Sequence, residues 1–279
     1  VRKHYQLLKN IFRRACAGTA TTLSIFDMGW NGFTDFCNEF DVLDTAFCRL
    51  KDVDTIFIAT NVQLGEPIKA AEKKRNNQRS LTRFEFIEAI MRLAKAKYVN
   101  SGRATRYVEA VKLLIDEHVL PNMSEYDDPE VWRDERLYLE EVDLFFKQYE
   151  SDLIAVYDAN SGRYKVPGED RFMSVEEWFD LLEKAGLLDD KVTDREAKVA
   201  YAMSMMMVPD EMETDSHTRM SLVEFYEALA RVAELKEDDA IPLEQKLPAV
   251  FEPIVATLDA DPVPLATDAP PRARAGSDG

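Results

Sequence analysis

The chain has 279 residues, of which 46% are hydrophobic, and its 52 acidic and 35 basic residues give a formal net charge of −17. This composition excludes general disorder, and the charge excludes a nucleic-acid or anionic-membrane surface spread over the whole protein. Three cysteines without a CxxC motif exclude a disulfide framework and a zinc-ligand pattern, so we expect a reducing, cytoplasmic environment.

Apolar residues recur at helical spacing along most of the chain, whereas the alternating pattern of a half-buried strand is nearly absent. In chain order, the predicted helical runs cover residues 7–12, 84–94, 107–115, 129–157, 197–207 and 222–235. The predicted fold class is therefore all-α. No apolar stretch approaches the roughly 18 residues of a membrane span, so we expect no membrane association. A start at Val1 rather than Met is consistent with a piece of a longer product.

Two segments differ in composition from these helices. The polar insert 65–79 is a small basic island, and residues 238–279 mix prolines with alanine and aspartate. Prolines at this density predict an extended or disordered tail, part of which is apolar enough to dock on a neighbouring protein. The residues predicted to make that contact are Leu247, Val250, Phe251, Ile254, Val255 and Leu258.

One local pattern recurs along the chain: an apolar residue, then Ser or Thr, then Glu three positions later, then an aromatic residue. Clear copies start at Leu81, Met173 and Met220, and a weak copy starts at Phe33, with Cys37 in place of Glu. The copies lie 48 (81 − 33) and 47 (220 − 173) residues apart, and the two pairs are offset by 140 (173 − 33) and 139 (220 − 81). This regularity predicts a duplicated unit with two similar halves.

Ser or Thr followed three residues later by Glu is also a capping box, which satisfies unpaired amides at a helix start. Helical proteins contain several such boxes, so capping alone explains the Ser/Thr and Glu pairs. It does not explain the preceding apolar residue or the paired spacing. The predicted structural caps are Thr82, Glu85, Ser174, Glu177, Ser221 and Glu224.

The whole pattern resembles the EF-hand superfamily. There the apolar residue stands at the eighth loop position, the cap at the ninth and Glu at the twelfth, ahead of an aromatic residue on the exiting helix. Paired hands in that family join their eighth-position residues through a short two-stranded contact. The resemblance therefore implies that Phe33 pairs with Leu81 and that Met173 pairs with Met220.

This resemblance implies two EF-hand-like helical lobes with a helical connector and an extended Pro-rich C-terminal tail. The predicted parts are an EF-hand-like pair at 1–98, a connector at 99–150, a second pair at 151–237 whose entering helix begins near 140, and a docking tail at 238–279.

Calcium requires about six to eight oxygen ligands from fixed loop positions, and each copy lacks part of that set. The first would end on Cys37 or Asn38, and the second would begin on the cation Lys74. In the third, Asp158 stands 19 residues (177 − 158) before Glu177, because an insertion separates them. The fourth keeps the spacing and offers the weak calcium candidates Glu213, Asp215, His217 and Glu224. We therefore predict no bound metal and no cofactor.

No catalytic residue can be named from the sequence. Phosphate-loop, dinucleotide, zinc-protease and nucleophile-elbow motifs are absent, and the acidic pairs fit a solvated face, so we predict that the protein is not an enzyme. A methionine cluster near the fourth copy suits either an adaptable binding groove or an ordinary core. The predicted partner-binding residues in that cluster are Met203, Met206 and Met207.

The function predicted from these patterns is a non-catalytic helical scaffold or adaptor whose partners are other proteins of a multi-subunit assembly. The phrase from Leu81 to Ile90 is similar to phrases in EF-hand-related proteins of cilia and flagella. That similarity implies a structural component of the ciliary axoneme. The alternative is a calcium-responsive EF-hand sensor or regulatory subunit.

Overall fold

The computed structural model describes residues 4–20, 25–61, 80–123, 129–206, 216–238 and 240–259. Helices dominate these residues, and the prediction of an all-α fold class is confirmed. Among the described residues, none of the helices combines the length and the apolar character that a membrane crossing requires.

The first half of the chain folds into helices α1 to α5. Their bounds are α1 Tyr5–Thr19, α2 Trp30–Glu39, α3 Leu50–Asn61, α4 Arg83–Ala94 and α5 Tyr107–Leu114. Helices α4 and α5 each run on into one π-helical turn, Lys95–Val99 and Ile115–Val119, and a 3-10 turn follows at Leu120–Asn122. Two-residue strands, β1 (Met28–Gly29) and β2 (Ser80–Leu81), precede α2 and α4.

The second half of the chain contains the remaining helices. Their bounds are α6 Pro129–Trp132, with a π-helical continuation Arg133–Leu137, α7 Glu140–Gln148, α8 Glu150–Asn160, α9 Val175–Lys184, α10 Asp194–Ser204, α11 Leu222–Lys236, α12 Leu243–Lys246 and α13 Pro248–Ala256. A 3-10 turn, Ser216–Thr218, lies shortly before α11.

These helices enclose two hydrophobic cores, which define a first lobe (described residues up to 123) and a second lobe (described residues from 129). Aromatic residues such as Phe36 and Phe86 fill the first core, and Trp178 and Phe225 fill the second. The predicted connector 99–150 is not a separate unit. Helix α5 of this segment buries Leu114 in the first core, whereas the part from residue 129 onward buries Trp132 and Val142 in the second core. Each amphipathic stripe packs on the nearer lobe.

The two lobes pack against each other through α1 and α10. The guanidinium of Arg13 donates to the carbonyl of Met205 at 2.7 Å, and the ammonium of Lys198 donates to the carbonyl of Ala20 at 3.0 Å. Ala17, on α1, is fully buried and belongs to the second core.

The strand contacts confirm one predicted pairing and correct the other. Met173 and Met220 form an antiparallel bridge whose two N–H···O distances are 2.9 and 3.0 Å. In the first lobe, however, Met28 rather than Phe33 stands opposite Leu81. Phe33 is a buried residue of α2.

The correct register of the first copy begins five residues (33 − 28) before the predicted one. Gly29 is the N-cap of α2, Gly32 takes the place of the Glu in the other copies, and Phe33 takes the place of the aromatic residue. The corrected spacing within the first pair is 53 (81 − 28), so the match to 47 does not hold. The prediction was wrong because Thr34, taken for the cap, is inside α2, where its hydroxyl donates to the carbonyl of Asn31 at 2.9 Å.

The C-terminal segment differs from the predicted extended tail, because residues 243–256 are helical and packed on the second lobe. Pro248 occupies the first turn of α13, where its missing N–H removes no helical hydrogen bond. Phe251 is buried edge-on against Phe145, with ring centroids 4.9 Å apart. Burial of such side chains offsets the loss at Pro253 inside this short helix. Residues 260–279 of the predicted tail lie outside the described residues.

Candidate functional site

The three predicted capping boxes form at the starts of α4, α9 and α11. In each box the Glu carboxylate accepts the amide of the N-cap residue, and the Ser or Thr oxygen accepts the amide of the Glu. The carboxylate distances are 2.8 Å for Thr82–Glu85, 2.7 Å for Ser174–Glu177 and 2.7 Å for Ser221–Glu224.

In the second lobe, the other oxygen of each capping carboxylate also accepts a hydrogen bond. The second oxygen of Glu177 accepts the amide of Arg163 at 2.6 Å, and that of Glu224 accepts the amide of Met206 at 2.6 Å. Both carboxylates are almost fully buried. Each therefore ties the start of its helix to the preceding chain segment, and a cation would have to displace a charge-assisted hydrogen bond to reach either one.

The guanidinium of Arg171 places a positive charge within the chain segment between α8 and α9. Its Nη1 donates to the carbonyls of Asp158 at 2.6 Å and Ser161 at 2.9 Å, and its Nε lies 3.3 Å from a carboxylate oxygen of Asp158. Next to it, Gly162 has a φ of +88°, a left-handed conformation that favours glycine. The guanidinium of Arg171 therefore holds this segment against the end of α8.

The predicted calcium candidates are not brought together in the described structure. Glu213 and Asp215 lie outside the described residues, and Glu224 is the capping carboxylate of α11. The ring of His217 packs edge-on against Phe26 of the first lobe, with centroids 5.6 Å apart. Within the described ranges, no group of three or more His, Cys, Asp or Glu residues is placed to hold a metal ion.

Two tyrosines that the sequence did not single out support the Met173–Met220 bridge. The hydroxyl of Tyr157, on α8, donates to the carbonyl of Met220 at 2.9 Å, and that of Tyr201, on α10, donates to the carbonyl of Met173 at 2.8 Å. Each bridge carbonyl therefore accepts one amide and one phenol. A signal for this role was present in the sequence, since each tyrosine lies on the helix preceding its copy of the repeat.

A concave surface of about 730 Å³ opens on the second lobe between the segment 137–150 and α11. We call it the second-lobe groove. Large apolar side chains in it are exposed: Tyr138 is 63%, Met206 55% and Val223 74% exposed. Its lining residues are Leu137, Tyr138, Leu139, Glu140, Asp143, Phe146, Lys147, Glu150, Met206, Val223, Glu224, Tyr226 and Glu227.

Ring stacking and buried ion pairs hold the walls of the groove in place. The rings of Phe146 and Tyr226 stack with centroids 5.3 Å apart and planes 7° apart, which joins α7 to α11. Below them, the buried guanidinium of Arg133 donates to the buried carboxylate of Glu227 at 2.8 Å. The same carboxylate accepts from Arg231 at 2.8 Å. These contacts hold the chain before α7 in place, so the groove walls are pre-organised.

The rim of the groove is acidic. Glu140, Asp143 and Glu150 are exposed along one side, and Lys147 is the one base among the described lining residues. The ammonium of Lys147 is 2.5 Å from a carboxylate oxygen of Asp143, which neutralises part of that charge. Glu140 and Glu150 make no ion pair within the described part of the chain. The rim therefore keeps a negative charge.

The predicted partner-binding residues divide into four groups. Met206 lies in the groove, Leu258 is 38% exposed, and Met207 lies outside the described residues. The prediction is wrong for the buried members, because they pack inside this chain rather than against a neighbour. These are Met203, Leu247, Val250, Phe251 and Ile254, with Val255 packed against the same core. Tyr138, Leu139 and Val223, which also line the groove, were not predicted from the sequence.

Comparisons of the chain with protein-family models, with curated proteins and with solved structures each found no match.

Proposed function

We propose that this protein is a non-catalytic adaptor that binds another protein through the second-lobe groove. The observation that carries this proposal is the exposure of Tyr138, Met206 and Val223 on one concave surface. Contiguous exposed apolar surface of this kind marks interaction sites, and tyrosine and methionine are enriched at interfaces. Because the supports of the groove are rigid, little ordering entropy opposes binding.

The proposal extends to the architecture and its setting. In each lobe, a short antiparallel contact joins the residues that precede two helices, and this arrangement supports a pair of EF-hand-like units in each lobe. The similarity of the phrase from Leu81 to Ile90 to ciliary and flagellar proteins supports a structural role in the axoneme, with partners in the same assembly.

The adaptor hypothesis is tested by photo-crosslinking. A photoreactive amino acid at Val223, placed in the full chain and irradiated in extract of cells that express the protein, is expected to give a discrete crosslinked product. The product should disappear in Met206→Glu. Val108, which is 76% exposed on α5, is the matched position for the control and should give no such product. A Val223 sample indistinguishable from the Val108 sample would contradict the proposal.

The alternative function, a calcium-responsive sensor, makes an opposite prediction. Glu177 and Glu224 hold backbone amides, and Arg171 supplies a positive charge, so we propose that the adaptor works without calcium. A calorimetric titration with millimolar calcium should release no heat and leave helicity and dye-accessible apolar surface unchanged. Heat accompanied by a change in either property would favour the sensor.

A further inference from the structure

We infer that the partner segment held by the second-lobe groove is a basic amphipathic helix. Its expected chemistry is two or three large apolar side chains one turn apart, flanked by lysines or arginines. This inference rests on the proposed function and specifies the partner that the same groove takes.

The sign of the partner's charge follows from the rim. Glu140 and Asp143, on α7, and Glu150, at the start of α8, lie on the same side of the groove, and Glu140 and Glu150 have no described ion pair. The chain as a whole carries a net charge of −17. An acidic segment would meet repulsion both at long range and at contact, whereas lysines or arginines flanking an apolar face would lie beside the three carboxylates.

The conformation of the partner follows from the walls. Both walls are built mainly from helices, α7 and α11, whose interior amides and carbonyls are hydrogen-bonded within the helix. Neither β1 nor β2 contributes a lining residue. An extended segment would find no strand edge with which to form a ladder, so a partner that buries its backbone here must satisfy its own hydrogen bonds. A helix does this and presents apolar side chains every three or four residues.

The anchors of that helix would lie on Met206, Val223 and the stacked Phe146–Tyr226 pair. Val223 and Tyr226 are three residues apart on α11 and therefore share one face. Met206 is an adaptable contact at the end of this face, since its thioether side chain can follow the shape of a leucine or phenylalanine.

The experiment measures fluorescence anisotropy of a dye-labelled 18-residue peptide of leucine and lysine at helical spacing, titrated with the full chain. Comparison peptides have the same composition with one central proline, or glutamate in place of lysine. We expect the Leu/Lys helix to bind and both comparison peptides to bind at least about tenfold more weakly, a difference of about 1.4 kcal/mol.

Protein variants separate the groove from the general negative charge. Val223→Glu and Met206→Glu should each weaken binding about tenfold or more, while Val108→Glu, on the first lobe at a position about as exposed as Val223, should not. The double change Glu140→Gln/Glu150→Gln should weaken binding about two- to fivefold and reduce its salt dependence. The matched double change Asp35→Asn/Asp54→Asn, at exposed positions of the first lobe, alters the net charge equally and should have a smaller effect.

Each contrary outcome overturns the inference. Equal binding of the proline-interrupted peptide would indicate an extended or polyproline partner, and equal binding of the Leu/Glu peptide would remove the charge argument. Equal weakening by the groove variants and by Val108→Glu would mean non-specific attraction. Failure of the peptides to bind while Val223 still crosslinks a protein would overturn the basic helix and leave the adaptor function standing. Failure of both would remove the function as well.

Discussion

At the scale of single residues, the Met173–Met220 bridge depends on hydroxyl groups that come from distant helices. Tyr157 and Tyr201 each add a donor to a carbonyl that already accepts a strand amide. Burial, with the nearby carboxylates of Glu224 and Glu177, raises the pKa of Tyr157 to about 12. Burial also raises the pKa of Tyr201 well above its usual value. The neutral phenols are therefore part of the folded state.

Tyr157→Phe should change both stability and its dependence on alkaline pH. The lost hydrogen bond costs about 1 kcal/mol at neutral pH. Tyrosine in the unfolded chain ionises near pH 10, whereas Tyr157 in the folded chain ionises at about 12, so the unfolded state loses its proton first. The stability that the neutral Tyr157 phenol contributes is therefore fully present below pH 10 and is lost as the pH rises to 12. Urea unfolding at several pH values should show a shallower alkaline decline in the variant.

The control for this measurement is Tyr164→Phe, because Tyr164 is 51% exposed. That variant should retain the stability and the alkaline decline of the parent protein. A Tyr157→Phe curve that runs parallel to the parent curve between pH 10 and 12 would contradict the role assigned to this phenol.

A second residue-scale prediction concerns the buried carboxylate of Glu227, which faces two guanidiniums. Although burial opposes it, the hydrogen bond and charge of Glu227 raise the pKa of Arg133, while burial lowers the pKa of Arg231. Glu227→Gln leaves the buried Arg133 and the largely buried Arg231 without this counter-charge and should cost about 3–5 kcal/mol in the unfolding of the second lobe. The measurement is denaturant unfolding followed by tryptophan fluorescence, since Trp132 and Trp178 both lie in the second core.

Glu130→Gln is the matched control for that change, because Glu130 also pairs with Arg133 but its side chain is 58% exposed. Solvent at the exposed carboxylate of Glu130 screens this pair, so its loss should cost at most about 1 kcal/mol. Equal destabilisation by the two variants would show that burial of Glu227 does not determine its importance.

At the scale of elements, α12 and α13 show how burial overrides local propensity. A lone segment of this composition does not sustain a helix. Leu247, Phe251 and Ile254 nevertheless lie on one face of it and pack in the second core. Polar contacts fix the same segment. The fully buried ammonium of Lys246 lies 2.5 Å from a carboxylate oxygen of Glu234, and Lys184 donates to the carbonyl of Thr257 at 2.8 Å.

Phe251→Ala should therefore destabilise the second lobe by about 3–5 kcal/mol, because it leaves a cavity next to Phe145. Glu252→Ala, at the adjacent exposed position of α13, should change stability by less than about 0.5 kcal/mol. Thermal and urea unfolding of the two variants provide the measurement. An unchanged Phe251→Ala protein would mean that α13 is not docked in solution and would restore the predicted free arm.

At the scale of the whole molecule, the contact between α1 and α10 joins the two lobes into one folded unit. Ala17 lies in the second core although it belongs to the first helix of the chain, and Gly18 lies next to Arg195 and Val199. Phe26 also reaches Tyr201, with ring centroids 6.3 Å apart. Unfolding of one lobe would therefore expose apolar surface of the other.

Ala17→Glu should uncouple the lobes, because it places an unpaired charge in this apolar contact. The parent protein should unfold in one calorimetric transition, and the variant in two, with a larger radius of gyration in small-angle scattering. Ala155→Glu adds the same charge at an exposed position in the middle of α8 and should leave the single transition intact. Two transitions in the parent protein would contradict the coupling.

Local signals in the sequence determined the helical class, the three capping boxes and the Met173–Met220 pairing, because these depend on residues close together or on a repeated motif. The same signals misplaced the first copy, since Phe33-Thr34 imitates the apolar residue and cap that Met28-Gly29 provide. A short motif does not distinguish a cap from a threonine inside a helix.

Only the tertiary structure decided which apolar surfaces are covered. The sequence marks both the Leu247–Leu258 segment and the methionine cluster as apolar, and both are equally plausible binding surfaces on composition. Packing buries most of the first against the second lobe and leaves Met206, Tyr138 and Val223 together at the groove. The physical reason is that burial depends on contacts between residues far apart in the chain, such as Phe145 with Phe251, which periodicity along the sequence does not encode.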